Sequence, residues 1–209
     1  VPRPDRTAPN DRAARVAKIQ KASQAAERRR GALIWVTAAV VLAAIVGAVV
    51  FAIVRDSPAL ADLSGVQDYA YEGSQHTPSA VTYAENPPVG GEHNDAWWNC
   101  GVYEQEVPKE HAVHSLEHGA VWLTYQPSLP ADQIALLEEL GGEDYMLVSP
   151  LADQSSPVVA SSWNHQLSLD TADEKTLKAF IRAYKQGPDT PELGAACTSG
   201  TTTDLVQRS

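Results

Sequence analysis

Between Gly31 and Val54 the chain has no charge at all: 24 consecutive residues contain no Asp, Glu, Lys or Arg, and Thr37 is the only hydroxyl. A helix of that length spans about 36 Å against a hydrocarbon core of about 30 Å, so the run reads as a transmembrane helix. A small-residue cleavage pattern is also missing. The run ends directly in Val54-Arg55-Asp56, which sets a cleaved signal peptide aside. Large apolar residues are nearly absent from the first thirty residues, and this excludes a core of their own. Basic residues are scarce everywhere else. The arm 1–30 holds nine Lys or Arg against three acids, net +6; the sixteen basic and twenty-six acidic residues of the whole chain therefore leave seven and twenty-three for 31–209, net −16. Such a surface excludes nucleic acid as a partner of that part and suits cations or basic proteins, although acidity also simply keeps a domain soluble. Residues 81–209 show no internal repeat and no low-complexity tract, and suffice for one small domain.

Arg28, Arg29 and Arg30 abut the apolar run on one side and only Arg55 on the other, so the positive-inside rule puts the arm in the cytoplasm and all that follows outside. The expected organisation is a disordered basic cytoplasmic arm (1–30), of which Asp11 to Arg30 becomes helical beside a surface; a transmembrane helix (31–54); a tether (55–80); an extracytoplasmic domain (81–200); and a flexible tail (201–209). Cysteine is limited to Cys100 and Cys197. Outside the membrane disulfides persist, and a bridge between the two is the first reading, worth about 2 to 4 kcal/mol for a loop this long. The other readings make Cys100 a metal ligand, a free thiol, or a nucleophile beside a histidine.

The domain's pattern predicts an α+β fold, with helices on one side of a small mixed or antiparallel sheet. After an irregular segment, Asn86 to Tyr103, a strand runs from Ala120 to Tyr125. A helix follows from Ala131 to Leu140, with Ile134, Leu137 and Leu140 as its apolar stripe and Gly141-Gly142 as its stop. Tyr145 to Ser149 and Val158 to Trp163 read as short strands. A second helix, lined by Leu177, Phe180, Ile181 and Tyr184, is expected to open at Asp170 as N-cap and to end by Gln186, ahead of Gly187-Pro188.

Three of the six histidines, His111, His114 and His118, fall within eight residues. His114 and His118 stand four apart, which puts both imidazoles on one face in a helix or a strand. His93 follows Gly90-Gly91, where the backbone turns tightly. His93, His114 and His118 are an adequate imidazole set for copper or zinc, with Glu117, Met146 or His165 as a further ligand. The alternative is a core histidine bonded to backbone. His76 lies in the polar tether and is expected to play no part. His114-Ser-Leu-Glu117-His118 also matches H-x-x-E-H, in which two histidines hold zinc and the glutamate is the general base of a hydrolase. That pattern needs a long helix, whereas Gly119 and a β-rich run follow at once. Trp97, Trp98, Trp122 and Trp163 either stack on a ligand or fill the core.

The motifs G-x-H (Gly91, His93), W-x-x-C-G-x-Y (Trp97, Cys100, Gly101, Tyr103) and H-S-L-E-H-G (His114 to Gly119), with the later SSW and FIRAYKQGP, resemble the bacterial family catalogued as domain of unknown function 3105, frequent in actinobacteria. The resemblance covers roughly Val81 to Cys197. A later A-W-G of that family is Ser162-Trp163-Asn164 here. The resemblance implies a domain type without an established activity, and it groups His93, His114 and His118 in one site. The expected function is a single-pass membrane protein binding a transition metal, copper ahead of zinc, to buffer it or deliver it to a membrane metalloenzyme or respiratory complex. A non-catalytic accessory subunit of a membrane complex is the other class.

Overall fold

The computed structural model describes residues 8–55 and 61–208, without the side chains of 8–13, 25, 54 and 55. Arg3, Asp5 and Arg6 of the arm, residues 56–60 of the tether, and Ser209 lie outside the described residues. The chain divides into two units, 1–56 and 57–209.

The first unit is one helix, α1, Ala8–Arg55. It contains a stretch long and apolar enough to cross a membrane. Within 31–54 the Thr37 hydroxyl donates to the Leu33 carbonyl at 2.6 Å and the Ile34 carbonyl at 3.1 Å, so the one hydroxyl there is satisfied by the helix itself. The helix takes in the arm from Ala8 on, where a helix was expected over Asp11 to Arg30 only beside a surface; the Ala, Gln, Lys and Arg of the arm are strong helix formers.

The second unit is built on a six-stranded sheet of order β1-β6-β5-β3-β4-β2: β1 Gln67–Asp68, β2 Gly101–Val102, β3 Val121–Tyr125, β4 Met146–Pro150, β5 Val158–Ser162 and β6 His165–Leu169. β3 runs parallel to β4 and antiparallel to β5, so the sheet is mixed. Between β3 and β4 lies α3, Ala131–Leu140, and after β6 comes α4, Glu174–Tyr184. Side chains alternate across β3. Val121, Leu123 and Tyr125 face Leu137 and Leu140 of α3 and Leu177, Phe180 and Ile181 of α4. Trp122 points the other way, onto Val113 and Leu116 of a further helix, α2, Lys109–Glu117, together with Leu147 and Trp163. The sheet is thus covered on both faces, with the histidine-bearing helix opposite the other two.

α2 ends in a Schellman motif that its sequence dictates. Gly119 takes φ +94°, its N–H donates to the Leu116 carbonyl at 2.8 Å, and the Ala120 N–H donates to the Ser115 carbonyl at 3.0 Å. The helix stops there and β3 starts two residues on. α4 opens later than expected. Its N-cap is Asp173, whose carboxylate accepts from the Thr176 N–H at 2.8 Å, and not Asp170, because pairing with β5 holds β6 extended as far as Leu169. The β5–β6 turn is Trp163-Asn164, and Asn164 takes φ +65°. Asparagine tolerates this conformation. Its side chain also clamps Tyr71, accepting from the Tyr71 N–H at 2.7 Å and donating to the Tyr71 carbonyl at 3.1 Å, so the turn survives without glycine.

The flanks belong to the domain more than expected. β1 joins the tether to β6. The last residues, where the sequence suggests a flexible tail, are held by bridges Trp98–Thr201 and Ser79–Gln207 and by Arg208 on the buried Glu110 at 3.4 Å. Cys100 and Cys197 lie at disulfide distance, Cα to Cα 5.4 Å, which removes the readings of Cys100 as ligand, free thiol or nucleophile.

Candidate metal centre

α2 and its C-cap present His111, His114, Glu117 and His118 at i, i+3, i+6 and i+7, the C-cap being His118, so all four share one face. A short bridge brings up two more. The His93 N–H donates to the Gln75 carbonyl at 2.9 Å and the Thr77 N–H to the His93 carbonyl at 2.7 Å, which sets His76 beside His93. One ligand atom from each of His76, His93, His114 and Glu117 lies within 4.8 Å of the others. The same holds for His114, His118 and Glu192. His76, expected to be remote, is therefore in the first group, and His118 is in the second with Glu192.

The hydrogen bonds decide which nitrogens are available. His93 Nδ1 lies 2.8 Å from the Gly91 carbonyl, His114 Nδ1 2.7 Å from the Asn94 carbonyl, and His118 Nδ1 2.6 Å from the Ala196 carbonyl. A carbonyl only accepts, so each Nδ1 carries the proton and each Nε2 is left with a lone pair, the orientation found at metal-ligating histidines. His93 Nε2 then faces Glu117 Oε2 at 3.0 Å, with both side chains fully buried. His76 Nε2 is 3.5 Å from the same oxygen. The other carboxylate oxygen accepts the Ser74 N–H.

Burial pushes the His114 imidazole down to about 4; the Asn94 carbonyl pulls the other way, while His93, His118 and His76 add to the fall. Burial would raise the Glu117 carboxyl, but once an added proton on Nε2 makes the His93 ring a cationic donor, its hydrogen bond, the Ser74 N–H and the charges of His93 and His114 bring the carboxyl down to about 2. Neutral imidazole and ionised carboxylate are the forms that ligate.

Two expected ligands lie elsewhere. Met146 is fully buried on the face of the sheet turned to α3 and α4, because its position on β4 alternates with Leu147, which faces α2. His165, on β6, has Nδ1 at 2.8 Å from Asp68 and Nε2 at 2.9 Å from Asp189, leaving no nitrogen for an ion at α2. His111 is also spent: Nδ1 donates to the Ala96 carbonyl and Nε2 accepts from the Leu205 N–H at 3.0 Å. Of the H-x-x-E-H residues, Glu117 belongs to the first group, held by Ser74 and His93, His118 belongs to the second, and the helix ends at Glu117.

A family model described as Protein of unknown function (DUF3105) matches residues 75–199. The chain belongs to this family. The match takes in the whole of both groups, His76 included, and it stops short of α1. No curated protein and no solved structure matches the chain. What the DUF3105 domain offers chemically is a buried pair of acceptors ringed by imidazoles, open to solvent at His76, whose side chain is 36% exposed.

Proposed function

We propose that the domain binds a single transition-metal dication through His76, His93, His114 and Glu117. The observation that carries this reading is the His93–Glu117 contact. With Nδ1 donating to Gly91, the Nε2 lone pair and the carboxylate point at one another inside the protein, and that pairing needs a cation or an added proton between them. Three imidazoles and one carboxylate suit copper or zinc. Copper stands ahead of zinc by the first-row affinity order alone, since Met146 contributes no thioether. The exposed His76 gives the ion a way in and out, which favours buffering or delivery over a sealed structural site.

α1 anchors the domain in a membrane in this reading, with Arg28 to Arg30 on the cytoplasmic side and the domain outside, where a membrane metalloenzyme or respiratory complex is the receiver. Protease added to intact cells then removes the domain, and cutting of the arm with the domain protected reverses the orientation. The site is tested on the full chain in mild detergent without a histidine tag. Elemental analysis finds stoichiometric copper or zinc, and melting rises with metal. Equal melting curves with copper, zinc and chelator sink the metal reading and leave the histidines structural, as in an accessory subunit.

A further inference from the structure

The second group, His114, His118 and Glu192, shares a ligand with the first. His114 Nδ1 is bound to Asn94, so this imidazole has one lone pair and serves one ion at a time. The rings of His114 and His118 stand 4.6 Å apart, edge to face. His118 repeats the arrangement of His93: its Nδ1 donates to the Ala196 carbonyl, and its Nε2 faces Glu192 Oε2 at 3.3 Å, again acceptor against acceptor. Glu192 is placed by its own backbone, whose N–H donates to the Glu117 carbonyl at 3.1 Å, and by the segment that Cys197 ties to Cys100. Trp97 covers this side, its ring 4.9 Å from His118 and 5.8 Å from His114.

Resting on the metal reading above, we propose that His114, His118 and Glu192 form an exchange position, to which the ion passes from the buried group while His114 remains its ligand. The buried group has four ligand residues and the outer one three, so the ion rests in the former. The outer position opens to solvent through Glu192, whose side chain is 39% exposed. His114 is the pivot: the ion loses His76, His93 and Glu117 and gains His118 and Glu192, with no change of oxidation state. A single ion is therefore bound at saturation, with two routes to solvent.

The test uses the full chain in mild detergent, Cu(II) as the probe, and transfer to a chromophoric chelator as the readout. Compared at one bound ion per chain, Glu192→Gln slows transfer by about ten-fold or more, and His118→Asn slows it likewise. In a His76→Ala background, residual weaker binding is lost on adding Glu192→Gln. Unchanged transfer rates in both single variants, with wild-type copper binding intact, overturn the exchange position and leave the buried site standing. No copper uptake by the wild type overturns both.

Discussion

Gly73 lies so close to Glu117 that a β-carbon on the glycine would sit 2.7 Å from Glu117 Oε1 and 2.6 Å from Pro191 Cβ. The space belongs to the carboxylate. Gly73→Ala therefore displaces a ligand without altering any ligand. The expected outcome is a loss of about 1–3 kcal/mol in stability, together with weaker metal binding. Denaturant melts and metal titration of the same sample check it, and a variant with wild-type affinity would show that Glu117 moves freely.

Alanine at His76, His93 or His114 lowers metal affinity by at least about 100-fold, beyond what outer-shell partners alone usually contribute. His165→Ala and His111→Ala do not change affinity, although the second destabilises the fold by about 1–3 kcal/mol because the Leu205 N–H and the Ala96 carbonyl lose their buried partner. In the wild type, metal at 100 times its dissociation constant adds about 2.7 kcal/mol, read as a higher melting temperature that the ligand variants do not show.

Acid weakens the metal-free fold in two stages. His114 falls from its ordinary 6.5 to about 4 on folding, so between those values the unfolded chain binds the extra proton; stability is complete above 6.5 and declines as pH drops towards 4. The slope is up to about 1.4 kcal/mol per pH unit. Glu117 falls from 4.5 to about 2, and its contribution is present above 4.5 and lost below it. Urea melts of chelator-treated protein from pH 7 to pH 3 follow this course, and His114→Gln flattens the upper stage only.

Non-reducing mass analysis finds no free thiol, and reduction of Cys100–Cys197 lowers stability by about 2–4 kcal/mol. Because Ala196 and Glu192 lie on the segment that Cys197 holds, reduction also removes the carbonyl that fixes the His118 ring. Copper transfer in the reduced protein then resembles that of Glu192→Gln.

How much of this was legible in the sequence depends on the kind of information each element carries. α3 was readable to the residue, since Ile134, Leu137 and Leu140 mark its stripe and Gly141 its end. β6 was not, because His165-Gln-Leu-Ser-Leu169 lacks β-branched residues and is made a strand by its partner β5. The side of the sheet that Met146 faces was equally hidden: β4 is apolar on both faces, and only the placement of α2 opposite α3 and α4 tells them apart. His114 was legible from its four-residue spacing to His118 and Glu117 from the H-x-x-E-H pattern, but the helix α2 that carries them was not, because that spacing fits a strand equally well. His76 did not, because a single bridge to His93 has no period to read, and Gly, Ser and Pro around it look like a linker. Glu192 lies in a loop after α4 and reaches His118 through tertiary contacts alone.

The two outermost strands of the sheet, β1 and β2, are only two residues long each. Unpaired amides at a sheet margin are templates on which a foreign chain can add itself, and natural proteins blunt them. Here the margins are cut so short that no register of useful length is on offer. A second copy meeting β1 or β2 therefore finds only a two-residue strand to extend.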